Sequence, residues 1–162
     1  LVSHFCVGLN AHVQCLVESA LDLYGSVKKR LLPTPRHLHY DYGVKELWRV
    51  FQGLCSTSSD AFDSGPKVAR AWVHECLRCF GDRLDDEADL VWLKKTLMEV
   101  CERRLGCEVN VVEQRFIFSC IGVPGTTHGE ISDYCEIENH RAFQLSLTQC
   151  AAELSEEVAV PG

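Results

Sequence analysis

Residues 31–54, LLPTPRHLHYDYGVKELWRVFQGL, and residues 69–84, ARAWVHECLRCFGDRL, carry more structural instruction than any other part of this chain. Pro33 and Pro35 stand directly behind a helical pattern. Proline lacks an amide hydrogen and pushes the residue before it out of helical geometry, so residues 32–39 should form an extended connector. Asp41 or Gly43 then opens a second helix, whose buried stripe is expected to be Val44, Leu47, Phe51 and Leu54. Ser64 is placed to cap a third helix with Pro66 in its first turn. Val68, Trp72, Val73, Cys76, Leu77 and Phe80 share its core face.

The same periodicity extends outward in both directions. From Asn10 to Leu32 the apolar positions Val13, Leu16, Ala20, Tyr24, Val27 and Leu31 recur every three or four residues, which predicts an amphipathic first helix. A polar run from Ser56 to Asp60 separates the second helix from the third. The acidic Asp85-Asp86-Glu87 turn suits the positive end of a helix dipole and starts a fourth helix, with Leu90, Leu93, Leu97, Val100 and Cys101 inward. Arg103 and Arg104 favour its carbonyl end, and Gly106 suits its termination. From Cys107 to Gly129 the helical period fails; Val109, Val111, Val112 and Phe116-Ile117-Phe118 read as extended, ahead of Gly122, Pro124 and Gly125. A last helix is expected from Asn139 to about Glu157, with Phe143, Leu147, Cys150 and Leu154 on one side. The fold class is therefore mostly α, a helical bundle with one irregular or extended linker segment.

Composition narrows the function. The 162 residues are 46% hydrophobic and 24% charged, enough apolar surface to fold around a core. A formal charge of -7 argues against nucleic acid or an anionic membrane as a partner, since both call for a basic face. No run approaches the roughly 20 apolar residues a bilayer span requires, and no secretion signal is visible. The ten cysteines are irregularly spaced among helical patterns and are expected to be free thiols in a reducing compartment. The first residue is Leu1, which suggests a piece of a longer chain.

Chemistry-bearing motifs are sparse. Nucleotide hydrolysis calls for a phosphate loop, and no GxxxxGK[ST] occurs, so this chain alone is not expected to turn over ATP. His74-x-Cys76-x-x-Cys79 is the one cluster resembling a metal site, but structural zinc requires four ligands and no second pair follows. Core thiols and a capping histidine are the better reading, so no metal is expected. A cysteine nucleophile activated by histidine ranks below zinc, because nothing in the spacing singles out a pair. Trp48, Trp72 and Trp92 all fall within predicted helices, and Trp72 is expected in the core.

Taken together, Pro33-Thr34-Pro35, His39-Tyr40, Val50-Phe51-Gln52-Gly53-Leu54, Trp72-x-His74-Glu75 and Phe80-x-Asp82-Arg83-Leu84 resemble the helical lid of the third AAA+ module of dynein heavy chains. That family's pattern runs PTP, HY, FNLRDLS-VFQGL and LWxHE-x-x-RVFxDRL in the same order and spacing. Further on, Phe116-Ile117-Phe118 and Tyr134-x-Glu136-Ile137 resemble its LLFGDY and YEEI stretches more loosely. The PTP and HY elements are more similar to the axonemal heavy chains than to the cytoplasmic ones.

The resemblance implies a lid-like bundle over residues 1–106 and a connector over 107–162, packed on the bundle and ending in a helix that leads to the fourth module. It implies a mechanical and regulatory role: closing over nucleotide held by a preceding αβ subdomain and passing rotation to the next module of a microtubule-based motor. Partners would be the rest of the heavy chain, with microtubules reached only through it. The setting would be cytoskeletal, in the axoneme of a cilium or flagellum. ATP or ADP and magnesium would belong to the parent module, with no cofactor in this segment. In such lids an arginine near the start of a helix senses the nucleotide phosphates, the third residue of NLRD. Gly43-Val44-Lys45-Glu46 matches that tetrad here, so Lys45 takes the arginine's place and is the one candidate nucleotide-contacting residue, either a weakened phosphate contact or an ordinary exposed helix lysine. Lysine keeps the charge but loses the planar fork that grips phosphate bidentately. His37 stands at the lysine position of PTP-x-K, and Tyr42-Gly43 replaces FN. The alternatives are a free-standing helical interaction module derived from such a lid, or a thiol- or zinc-dependent small domain.

Overall fold

A computed structural model describes residues 12–57, 64–112, 116–121 and 134–158. The expected helix start at Asn10, the loop residues up to Asp60, the Gly122, Pro124 and Gly125 turn and the side chain of Leu154 lie outside the described residues. Five helices and one small sheet are seen among them: α1 (Val13–Arg30), α2 (Val44–Ser56), α3 (Gly65–Cys76), α4 (Glu87–Val100), β1 (Phe118–Ser119), β2 (Cys135–Glu136) and α5 (His140–Val158). The chain forms two compact units, one running to Phe116 and the other beginning at Ile117. None of the helices is long and apolar enough to cross a membrane.

In the first unit α1 packs on α4, and α2 packs on α3. The helices bury most of the residues their periods select, but Val13, Tyr24, Leu77 and Leu90 are only half-buried, and Leu23 is buried beside Tyr24. Leu16, Ala20, Leu23 and Val27 line α1, Val68, Trp72, Val73 and Cys76 line α3, and Leu93, Leu97 and Val100 line α4. Each large aliphatic side chain removed from water in this way contributes about 1.5–3 kcal/mol before entropy is set against it. Pro33 and Pro35 end α1 as expected, and the connector closes into a turn in which His37 N–H donates to the Thr34 carbonyl at 3.0 Å.

Both inner helices end in a π-helical turn that the sequence does not announce: Leu77–Gly81 after α3 and Cys101–Leu105 after α4. The widened turn at Leu77–Gly81 carries Phe80 into the core and places Gly81 so that even a Cβ there would touch Leu93 at 3.4 Å. Gly106, at φ 63°, ends the second in the left-handed conformation that glycine adopts at no steric cost. Arg103 and Arg104 do more than face the carbonyl end of α4. They cross to α1, where Arg104 reaches Asp22 at 2.8 Å and Glu18 at 2.9 Å, and Arg103 reaches Asp22 at 3.1 Å.

The buried face of α2 differs from expectation. Val44 is 71% exposed and Leu47 and Phe51 are half-buried, while Glu46, Val50 and Leu54 are buried. The helix is rotated because the Glu46 carboxylate has partners inside: it accepts from the Gly43 amide at 2.7 Å and from Arg83 at 3.0 Å. A charged side chain with two such donors turns inward, and the apolar residues beside it turn out.

In the second unit β1 and β2 pair antiparallel, Phe118 opposite Glu136 and Ser119 opposite Cys135. Phe118 and Ile137 are buried, and α5 follows with Asn139 capping it through the Ala142 amide at 3.0 Å.

Candidate functional site

Lys45 occupies the first turn of α2, and everything around that turn is fastened except Lys45 itself. Gly43 is extended and caps the helix. Behind it, Tyr42 is buried and its hydroxyl donates to the Phe80 carbonyl at 2.9 Å. Arg83 stacks over the Tyr42 ring at 5.1 Å, donates to the Asp41 carbonyl at 3.1 Å and pairs with Glu46. Burial alone would raise the Glu46 pKa, but the Gly43 amide and Arg83 outweigh it and hold this carboxyl below its usual range. Burial raises the Tyr42 phenol, so it stays protonated as a donor.

Lys45 is exposed and makes no hydrogen bond or ion pair among the described residues. Val44 and Trp48 flank it, 71% and 59% exposed. One turn on, Arg49 joins Arg78, Arg83, Cys79 and Asp82 around a surface hollow of about 280 Å³. The start of α2 therefore presents a cation on a rigid turn, beside uncovered apolar surface and further arginines. Such an arrangement can hold a single anionic group at a fixed distance.

The His74, Cys76 and Cys79 cluster does not gather. His74 Nδ1 lies 2.8 Å from the Phe116 carbonyl, and Cys76 is wholly buried in the core. Nine cysteines are free thiols among the described residues. Sequence reasoning missed a different group, His37, His39 and Asp85, which the proline turn and the start of α4 bring together. The His-x-His spacing was the available signal; the partner carboxylate lies 48 positions along the chain from His37.

Among the described residues the first unit is a helical bundle in which the first turn of α2 presents an exposed cation. The family profile of the dynein heavy chain ATPase lid domain matches residues 2–90, and the chain belongs to that family. It is 37% identical over 91 residues to dynein axonemal heavy chain 2 of Mus musculus, covering 56% of this chain and 2% of that protein. Its identity to the Homo sapiens dynein axonemal heavy chain 2 is 42% over 74 residues, 46% of this chain and 2% of that one. The Chlamydomonas reinhardtii dynein-1-beta heavy chain of the flagellar inner arm I1 complex is 36% identical over 84 residues, 52% of this chain and 2% of its own length. The chain thus spans about 2% of the length of these relatives.

Proposed function

We propose that this segment is the lid of the third AAA+ module of an axonemal dynein heavy chain, followed by the lead-in to the fourth. The lid closes over ATP or ADP held with magnesium by a preceding αβ subdomain. It passes that closure as a rigid-body rotation to the next module of an ATP-driven, microtubule-based motor in a cilium or flagellum.

The observation that carries this reading is the isolation of Lys45. Its ammonium is exposed and has no hydrogen-bond or ion-pair partner among the described residues, at the positive end of a helix whose first turn is braced by the Gly43, Glu46 and Arg83 contacts. The position is the one where the family's pattern has its phosphate-sensing arginine. Val44 and Trp48 support it, since apolar side chains this exposed beside a charged turn fit a surface that another part of a longer chain covers.

The test is nucleotide affinity in a heavy-chain segment that includes the preceding subdomain. Lys45→Ala should weaken ATP binding by on the order of 1–3 kcal/mol, the range of a charged hydrogen bond, and Lys45→Arg should tighten it by restoring the bidentate fork. Equal affinity in all three forms would reduce the lid to a spacer.

A further inference from the structure

The connector between α1 and α2 carries a cluster that the nucleotide-facing reading leaves unused. His37 Nδ1 lies 2.8 Å and His39 Nε2 3.7 Å from the same atom, Asp85 Oδ1. One ligand atom from each of the three residues lies within 4.8 Å of the others, and no other group of three or more His, Cys, Asp or Glu residues among the described residues does so. We propose that His37, His39 and Asp85 form a binding site for a zinc(II) ion, which clips the proline turn to the start of α4.

The donor set selects the metal. Two imidazoles and one carboxylate suit a borderline ion such as zinc, whereas magnesium and calcium want oxygen ligands throughout. Ligand atoms about 2.0–2.1 Å from a tetrahedral zinc stand about 3.3 Å apart, and the two measured separations bracket that spacing. Binding would open the His37 to Asp85 contact slightly and draw in the remaining ligand atoms, all of which lie within 4.8 Å of one another. Three protein ligands leave the fourth position for water, the arrangement of an open zinc site.

The ligands are also held in place. The turn bearing the histidines is closed by His37 N–H to the Thr34 carbonyl and by Tyr40 N–H to the His37 carbonyl at 3.2 Å, with Pro33 and Pro35 restricting its backbone. The His37 ring stacks on Tyr40 at 4.7 Å and 22°. Tyr40 is buried, and its hydroxyl donates to Asp85 Oδ1 at 3.0 Å, the kind of outer hydrogen bond that orients a metal ligand. A plain ion pair pinning the turn accounts for His37 and Asp85. The His39 ring, edge-on to Tyr40 at 4.9 Å, converges on the same oxygen, so two imidazoles meet one carboxylate. His37 stands where the resembled lid pattern carries a lysine, which as an ammonium could not ligate.

The experiment uses the full 162-residue chain stripped with chelator and titrated with zinc by calorimetry, with cobalt(II) as the spectroscopic substitute. The expected result is one zinc whose affinity falls about tenfold or more in His37→Gln, His39→Gln and Asp85→Asn. The cobalt adduct should show d–d absorption with no thiolate charge-transfer band, which separates this site from the cysteines. Added zinc should raise the melting temperature of the parent chain and leave that of His39→Gln unchanged. His39 lies on the exposed side of the turn, so that variant decides the matter even where His37→Gln loses helicity. No zinc binding, equal affinity in His39→Gln, or cobalt bound only with a thiolate band would overturn the proposal.

Discussion

At Gly53, on α2, a single hydrogen atom decides how that helix meets α3. A Cβ there would run into the carboxylate of Glu75, which is 1% exposed and cannot easily step aside. Arg78 holds it through Nε at 2.9 Å and a terminal nitrogen at 2.7 Å. Alanine is the better helix former by about 1 kcal/mol, so propensity alone predicts that Gly53→Ala stabilises. Packing predicts the reverse, because overfilling a tight contact costs about 1–3 kcal/mol and a displaced buried carboxylate loses its partner as well. The expected outcome is a net loss of about 1–2 kcal/mol in urea unfolding. An unchanged or raised midpoint would mean that Glu75 swings out to solvent. The Gln-Gly pair in the VFQGL run, visible in the sequence only as a motif, thus has a steric reason that requires the buried acid of the Trp-x-His-Glu run to be seen beside it.

The scale of elements is where α2 departs from its pattern, and a pH measurement tests why. Glu46 has its folded pKa depressed from the model-compound value of 4.5 by the Gly43 amide and Arg83, against the opposing effect of burial. Its contribution to stability is therefore full above about pH 4.5 and is lost as the pH falls through the lower folded value. Thermal melts from neutral pH into the acid range should show that loss in the parent chain, and Glu46→Gln should flatten it; an identical acid limb in both would remove Glu46 from the account. Helical periodicity read most of the core of α1, α3 and α4, but missed Leu23 in α1 and the buried Glu75 in α3. It misread α2, where Val44 and Trp48 make a second apolar stripe and only Arg83, 37 positions away, settles which one turns inward. The two π-helical turns escaped for a related reason: a widened turn is set by where Phe80 and Cys101 find space in the core, and no local residue type encodes it.

For the molecule as a whole, transmission of motion requires the first unit to behave as one body, and its buried thiols report on that. Cys76 in α3, Cys79 in the π-helical turn behind it and Cys101 behind α4 are all buried. Burial pushes Cys79 up to about 11, Cys101 up to about 12 and Cys76 well above its ordinary value, so almost no thiolate exists at neutral pH. A thiol reagent can reach Cys76 and Cys101 only when the helices open. Cys55 is exposed on α2 and, although partial burial raises its thiol too, should be labelled in the native chain before either of them. In a denaturant series read by peptide mass mapping, Cys76 and Cys101 should then become labelled at one common midpoint, coincident with the loss of far-UV helicity of the unit. Both belong to the unit that runs to Phe116, and α1 and α4 are joined by the Arg104, Asp22 and Glu18 contacts as well as by their apolar faces. Should Cys101 label at distinctly lower denaturant than Cys76, α4 would open independently of α3. A lid that yields at α4 absorbs rotation instead of passing it on, and the rigid-body role proposed for this segment would fall with it.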